Sequence, residues 1–228
     1  FWAAAELFSV FDNEMYYDKL LKLMGEQFSL TSLGFASVGG FGALALLLHN
    51  KGSAAVLTKL RNAFLARAEE LASVCSANGW GVSLMPDDYH WGSNMTVLTN
   101  GMTFLIADYL EERSINGRPH FRRYAAMQLH YILGVNATGY SYVTGVGELC
   151  VNYPHHRPAH ADKVEECIPG LISGGANSRL EDRFARALIP AGTPPMKCFS
   201  DNMECYSLNE VTIYWNSPAV FLLAGLTE

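Results

Sequence analysis

From Ser53 onward the chain places Leu57, Leu60, Phe64, Leu65, Ala68, Leu71 and Val74 mostly at spacings of three and four. That spacing puts them on one face of a helix, and Asn78-Gly79 supplies its stop. The same periodicity predicts helices over Trp2–Phe11, Glu14–Phe28, Met95–Leu110 and Pro119–Leu133, the last opening on a proline suited to a first turn. Gly34–Leu48 is apolar nearly all round and predicts a buried helix in spite of its glycines. Between Gly134 and Pro195 the period breaks. Gly, Pro, Asn and His become frequent there, and only Arg179–Leu188 keeps a helical pattern. A long loop-rich segment on a helical scaffold is where function tends to concentrate. A last helix is expected from about Leu208 to Leu226, with Pro218 kinking it or marking an early turn. No long alternating stretch demands a sheet, and no repeat period stands out. The pattern predicts an all-α chain of antiparallel helices that makes one domain at most, or part of one.

Composition narrows the class. Half of the 228 residues are hydrophobic, 12% are aromatic and 17% are charged, which suits a large core. A net charge of -6 without a basic stripe argues against nucleic acid as a partner. A neutral, carbohydrate-like partner fits better. The longest apolar run, Gly34–His49, is too short and too glycine-rich to span a bilayer. The chain opens on "FWAAAELF", in mid-helix and without Met, so a fragment or one piece of a larger protein is expected. Five cysteines do not make a disulfide scaffold. A bridge between Cys150 and Cys167, or between Cys198 and Cys205, is open in an oxidising compartment, as is the reading of all five as small free hydrophobes.

Three stretches carry candidate chemistry. In Cys198–Val220, Asp201 and Glu210 lie among Phe199, Tyr206, Tyr214 and Trp215. A carboxylate walled by Tyr206 and Trp215 can hold a proton and act as a general acid. At the start of an apolar helix, Glu210 can equally serve in the cap. Asp201, upstream in a loop, could orient a partner or a sugar hydroxyl. In Tyr153–His160, "YPHHRPAH", His155, His156 and Arg157 can hydrogen-bond a polar substrate. A metal held by His155, His156, His160 and Cys150 is the competing reading. In Tyr89–Thr96, "YHWGSNMT", Trp91 either presents its indole in a cleft or fills the core at a helix start. Asn94 and Asn136 sit in glycosylation sequons, but both fall inside candidate site regions and are discounted.

Two signatures occur in order: "SYVTGVGELCVNYPHHR" (Ser141–Arg157), and the pattern aromatic-x-Asp-x4-aromatic-x3-Glu-x-Thr-x3-Asn-Ser. The second is filled at every fixed position by Phe199, Asp201, Tyr206, Glu210, Thr212, Asn216 and Ser217. With "WGSN" and "YILGVNATGYSYVTG", they make the chain resemble the carboxy-terminal half of a glycoside hydrolase family 9 catalytic domain, the inverting β-1,4-glucanases, over essentially its whole length. The resemblance implies an (α/α)6 barrel with this chain, residues 1–228, supplying roughly the second half of the helices. It implies Glu210 as the general acid, Asp201 and His155 in the catalytic machinery, and Arg157, His156, Trp91, Tyr206 and Trp215 as substrate contacts. It further implies a secreted or periplasmic β-glucan hydrolase, endo-acting, that needs no cofactor and holds a structural calcium in some members. An exo-acting glucosidase or glucosaminidase of the family, or a non-catalytic carbohydrate-binding relative, stands as the alternative. The family's water-activating base lies in an Asp-Ala-Gly-Asp-like motif that is absent here, and Asp87-Asp88 follows Pro86 in a different context. The missing amino-terminal half of the domain is therefore expected to supply it. Leu149, Met95 and Phe35 depart from the family pattern and bear on which glucan is cut.

Overall fold

The computed structural model describes the chain apart from residues 27, 112–120, 162, 163, 165 and 228. The described elements are helical: α1 Trp2–Phe11, α2 Glu14–Leu23, α3 Gly39–His49, α4 Ala54–Ala77, α5 Ser93–Glu111, α6 Phe121–Ile132, α7 Arg157–Ala161, α8 Arg183–Leu188, α9 Tyr206–Asn209 and α10 Ile213–Thr227. Only isolated β-bridges occur among the described residues. Two compact units divide the chain. One holds Phe1–Glu70 with Ile106–Gly117, the other Leu71–Leu105 with Arg118–Glu228.

In the first unit α1 packs on α2 and α3, burying Ala4, Ala5 and Phe8. The close approach to α3 depends on Gly42, where an added Cβ would lie 2.8 Å from the Phe1 ring and the Trp2 Cα. Asp12, in the left-handed conformation, ends α1. Asn13 caps α2 by accepting the Met15 N–H. Two expectations shift here. α2 stops at Leu23 rather than Phe28, because Met24–Glu26 fold into a turn around Gly25. α3 begins at Gly39 rather than Gly34, because Gly34 and Ser37 bridge each other in a tight turn.

In the second unit α10 packs against α6, and Gly101 of α5 leaves room for Leu222. Gln128, fully buried on α6, accepts the Ser83 N–H and donates to Gly81 O and Tyr124 O. That fixes the loop that leads to Trp91. α6 starts at Phe121, and the expected start at Pro119 lies outside the described residues. α8 starts at Arg183 rather than Arg179, where Asp182 caps it by accepting the Ala185 N–H at 2.7 Å. α7 was not legible in the pattern. It takes Pro158 into its first turn, where a missing N–H costs nothing.

The expected last helix is two helices. Glu210–Thr212 breaks it, because Glu210 pairs with His155 and Val211 with Ser173. α10 then runs through Pro218. It is apolar on both sides: Trp215, Pro218, Ala219 and Leu222 are buried, while Ile213 is 88% and Val220 64% exposed. All five cysteines are free, so neither candidate disulfide forms. Both sequon asparagines are buried and hydrogen-bonded, Asn94 to Ser173 O and Asn136 to Tyr131 O and Tyr140 O. Neither is open to a glycan.

Candidate active site

The second unit gathers the candidate residues. Glu210 is the C-cap of α9, with extended backbone at φ -55 and ψ 150. It does not cap the following helix, whose first turn carries no acid. The side-chain contact it makes is with an indole N–H. Its Oε2 accepts the Trp91 Nε1–H at 2.9 Å. Trp91, 38% exposed, tilts against Tyr206 with ring centroids 5.5 Å apart, and Tyr206 in turn meets His155 at 5.8 Å. Three rings thus run in a row beside one carboxylate. An exposed indole in such a row leaves an apolar face open to solvent.

The backbone around Glu210 is held from two directions. The His155 N–H donates to Asn209 O at 2.7 Å, next to the His155–Glu210 bridge. On the other side Ser173 bridges Val211, and α5 clamps the same segment through Asn94 N to Gly174 O, Asn94 Nδ2 to Ser173 O and Ser93 Oγ to Ala176 O. Asn209 is fully buried and donates Nδ2 to Ser200 O and Asn202 O.

Asp201 does not reach outward. Its Oδ1 accepts the Tyr153 N–H and its Oδ2 the Asn152 N–H, both at 2.9 Å. It therefore fixes the loop that carries His155 and Arg157. Burial pushes its carboxyl above the usual value, against the two N–H donors, which act to lower it. His155 Nδ1 lies 2.8 Å from Met203 O. A carbonyl only accepts, so Nδ1 carries the hydrogen and Nε2 is the ring's remaining polar atom. His156 uses Nδ1 to accept the Ala159 N–H at 3.4 Å, at the start of α7. Arg157 is exposed as the first residue of α7. A cleft of about 110 Å³ opens beside this loop, lined by Asn152, Tyr153, Pro154, His160 and Met203 among others.

Trp215 was expected to flank the acid and touch substrate. The residue is 3% exposed, and its ring lies under Gly92 and Gly174. Gly92 has φ +80, and a Cβ there would stand 3.0 Å from Trp215 Cζ2. Trp215 is thus the floor beneath the turn that presents Trp91, not a surface for ligand. The metal reading finds no geometry either. His155 and His156 have committed Nδ1 to backbone, and no cluster of three or more His, Cys, Asp or Glu suited to a metal ion occurs among the described residues. Asp88 accepts the Met85 N–H and so closes its own turn.

Sequence reasoning missed Asn209, Asn94, Ser173, Ser207 and Asp182, which hold the site from beneath. Polar residues buried in a loop-rich stretch give no periodic signal. The density of Asn and Ser between Ser173 and Asn209 is the one signal for Ser173, Ser207 and Asn209, and none marks Asn94 or Asp182.

The model of glycosyl hydrolase family 9 matches residues 1–223. A cellodextrinase of Butyrivibrio fibrisolvens is 42% identical over 242 residues, covering 100% of this chain and 43% of that protein. A single-mutant thermostable endoglucanase from Alicyclobacillus acidocaldarius superposes with a TM-score of 0.91 at 34% identity, over 100% of this chain and 42% of that one. A structure of AaCel9A in complex with a cellobiose-like isofagomine gives 0.90 at 34% identity, again over 100% of this chain and 42% of that one. The chain thus spans less than half the length of these relatives. The helices are those of the (α/α)6-barrel fold that these endoglucanases have. By its sequence match and by its fold, the chain belongs to glycosyl hydrolase family 9.

Proposed function

We propose that the protein hydrolyses β-1,4-glucosidic bonds of cellulose or a related β-glucan with inversion, acting as an endoglucanase, and that Glu210 is its general acid. The observation that carries this reading is the Glu210 carboxylate that accepts the Trp91 Nε1–H beside a row of rings. Glu210 gives its proton to the glycosidic oxygen as the bond from C1 to that oxygen breaks. A water forms the new bond to C1 from the opposite face and loses its proton to a second carboxylate. Inverting enzymes keep the two carboxyl groups roughly 6.5–9.5 Å apart to admit that water. Trp91 and Tyr206 stack on sugar rings, and His155 and Arg157 bind hydroxyls next to the cleaved bond. Asp201 positions the loop of those two residues. The chemistry needs no cofactor. The 42% relative is named a cellodextrinase, so cello-oligosaccharides are the substrates to try first.

The second carboxylate belongs, on this reading, to an amino-terminal part of the same domain. Two features support it. The relatives are more than twice as long as this chain. Each unit also shows apolar side chains to solvent, Val10 and Phe11 on α1 in one, Ile213, Val220, Phe221 and Leu223 on α10 in the other. Exposed apolar surface of that extent marks a face that another part of the protein covers. A polymeric glucan lies outside the cell, so the protein acts after secretion or in the periplasm. No described helix is long and apolar enough to cross a membrane.

The test compares the full-length protein with residues 1–228 alone on cellotetraose. The full-length protein is expected to cleave it and the isolated chain to be slower by at least about 10³-fold, the scale of losing a proton-transfer group and part of the cleft. Equal rates would place the base within these residues. No cleavage by either, with cello- or other β-glucan oligosaccharides, would end the hydrolase reading.

A further inference from the structure

Glu210 is carried by a helix of one turn. α9 has four residues, and its N-cap Cys205 makes no side-chain hydrogen bond. A single turn has no stability of its own, so its place must be set from outside. Asp182 sets it. This carboxylate is fully buried. Its Oδ2 accepts the Ser207 N–H at 3.0 Å and the Ser207 Oγ–H at 2.5 Å, at the start of α9. Its Oδ1 accepts the Ala185 N–H at 2.7 Å, at the start of α8. One anion thus caps two helices, and each presents it with a positive N-terminal end. Burial pushes its carboxyl up, but the donors from Ala185, Ser207 and Phe184 outweigh that and leave it below the usual carboxylate range.

Buried amides tie down the same turn. Asn177 donates Nδ2 to Ser207 O at 3.2 Å, and Asn209 Nδ2 closes the far end on Ser200 O and Asn202 O. Glu210 follows Asn209 directly, so a displaced α9 displaces the carboxylate from Trp91 Nε1.

We propose that Asp182 is a positioning residue for the proton donor: by capping α8 and α9 together it fixes where the Glu210 carboxyl stands, without touching substrate itself. The proposal rests on Glu210 being the general acid. Its signature is a loss of kcat that is larger where the leaving group needs a proton. Asp182→Asn keeps the shape but turns an N–H₂ toward the donors of Ala185 or Ser207. In the full-length protein this variant is expected to lower kcat on cellotetraose about 10²-fold, the scale of misplacing a catalytic group by about an ångström. On 2,4-dinitrophenyl β-cellobioside, whose leaving group departs without a proton, it is expected to lose less than about 3-fold, because only the acid's contribution is removed. Any change in KM should be alike for the two substrates, because Tyr206, the first residue of α9, moves with the helix whichever leaving group is present. An equal loss on the two substrates would make Asp182 merely structural and overturn the proposal.

Ser207→Ala removes only the Oγ bond and is expected to show the same split at smaller size. It decides the matter if Asp182→Asn does not fold, and an unsplit effect or none would then overturn the proposal. Glu210→Gln in the same assays separates the two claims. If it lacks the split, the acid assignment fails and the role of Asp182 with it. If Glu210→Gln shows the split and Asp182→Asn does not, only the role of Asp182 fails.

Discussion

Glu210→Gln is expected to lower kcat on cellotetraose by about 10³-fold in the full-length protein, within the span that positioned proton donors contribute. The change leaves shape and contacts nearly intact. Glutamine keeps a carbonyl oxygen to accept the Trp91 Nε1–H that Glu210 Oε2 accepts at 2.9 Å, and the bridge to His155 is made by backbone. What disappears is a proton that can move to the leaving oxygen. The thermal midpoint should therefore stay within about 2 °C, a shift that corresponds to about 1 kcal/mol. Turnover within about tenfold of the parent protein would remove Glu210 from the acid role, since the general-acid contribution is larger than that.

The second large effect is expected at Asp201. Both of its oxygens are spent on the Asn152 and Tyr153 N–H groups, so Asp201→Asn must set an N–H₂ against one of two backbone donors. The loop then shifts, and His155 shifts with it. A displacement of about an ångström is expected to lower kcat/KM about 10²-fold. The fold should suffer much less, and the sign of the pKa shift says why. Burial holds the Asp201 carboxyl above its ordinary 3.8. Its contribution to stability is therefore fully present below that value and lost as pH rises through the raised folded value. At neutral pH the native state carries a carboxylate that folding disfavours, so removing the charge offsets part of what the lost hydrogen bond costs. Activity falling while the melting temperature holds is the expected pair of results. Unchanged kcat/KM would mean that the Asn152–Arg157 loop keeps its place without Asp201.

Much of this fold could be read from the chain. α1 and α4 fall within a residue of their expected bounds, because a long apolar period with a clear stop leaves little choice. The errors have physical sources. Gly34–Val38 is as apolar as a helix, yet it turns back on itself before α3. The break between α9 and α10 comes from pairing with His155 and Ser173, partners far upstream that no local pattern reveals. At the candidate site, the chain brings Glu210, Trp91, Tyr206 and His155 together, and Asp201 holds the loop of His155. The roles were not legible there. An acid that receives backbone N–H groups, as Asp201 and Asp182 do, looks in sequence like one that receives an indole N–H, as Glu210 does. The same holds for Trp215, buried as a floor, against Trp91, exposed as a wall.

The central claim is a direct displacement by water, with Glu210 as acid and a second carboxylate as base. Proton NMR of the first products from cellotetraose and the full-length protein tests it most directly. The account predicts that the α-anomer appears first and relaxes to the equilibrium mixture by mutarotation. The β-anomer appearing first would mean retention through a glycosyl-enzyme intermediate, and would contradict the mechanism proposed for this site.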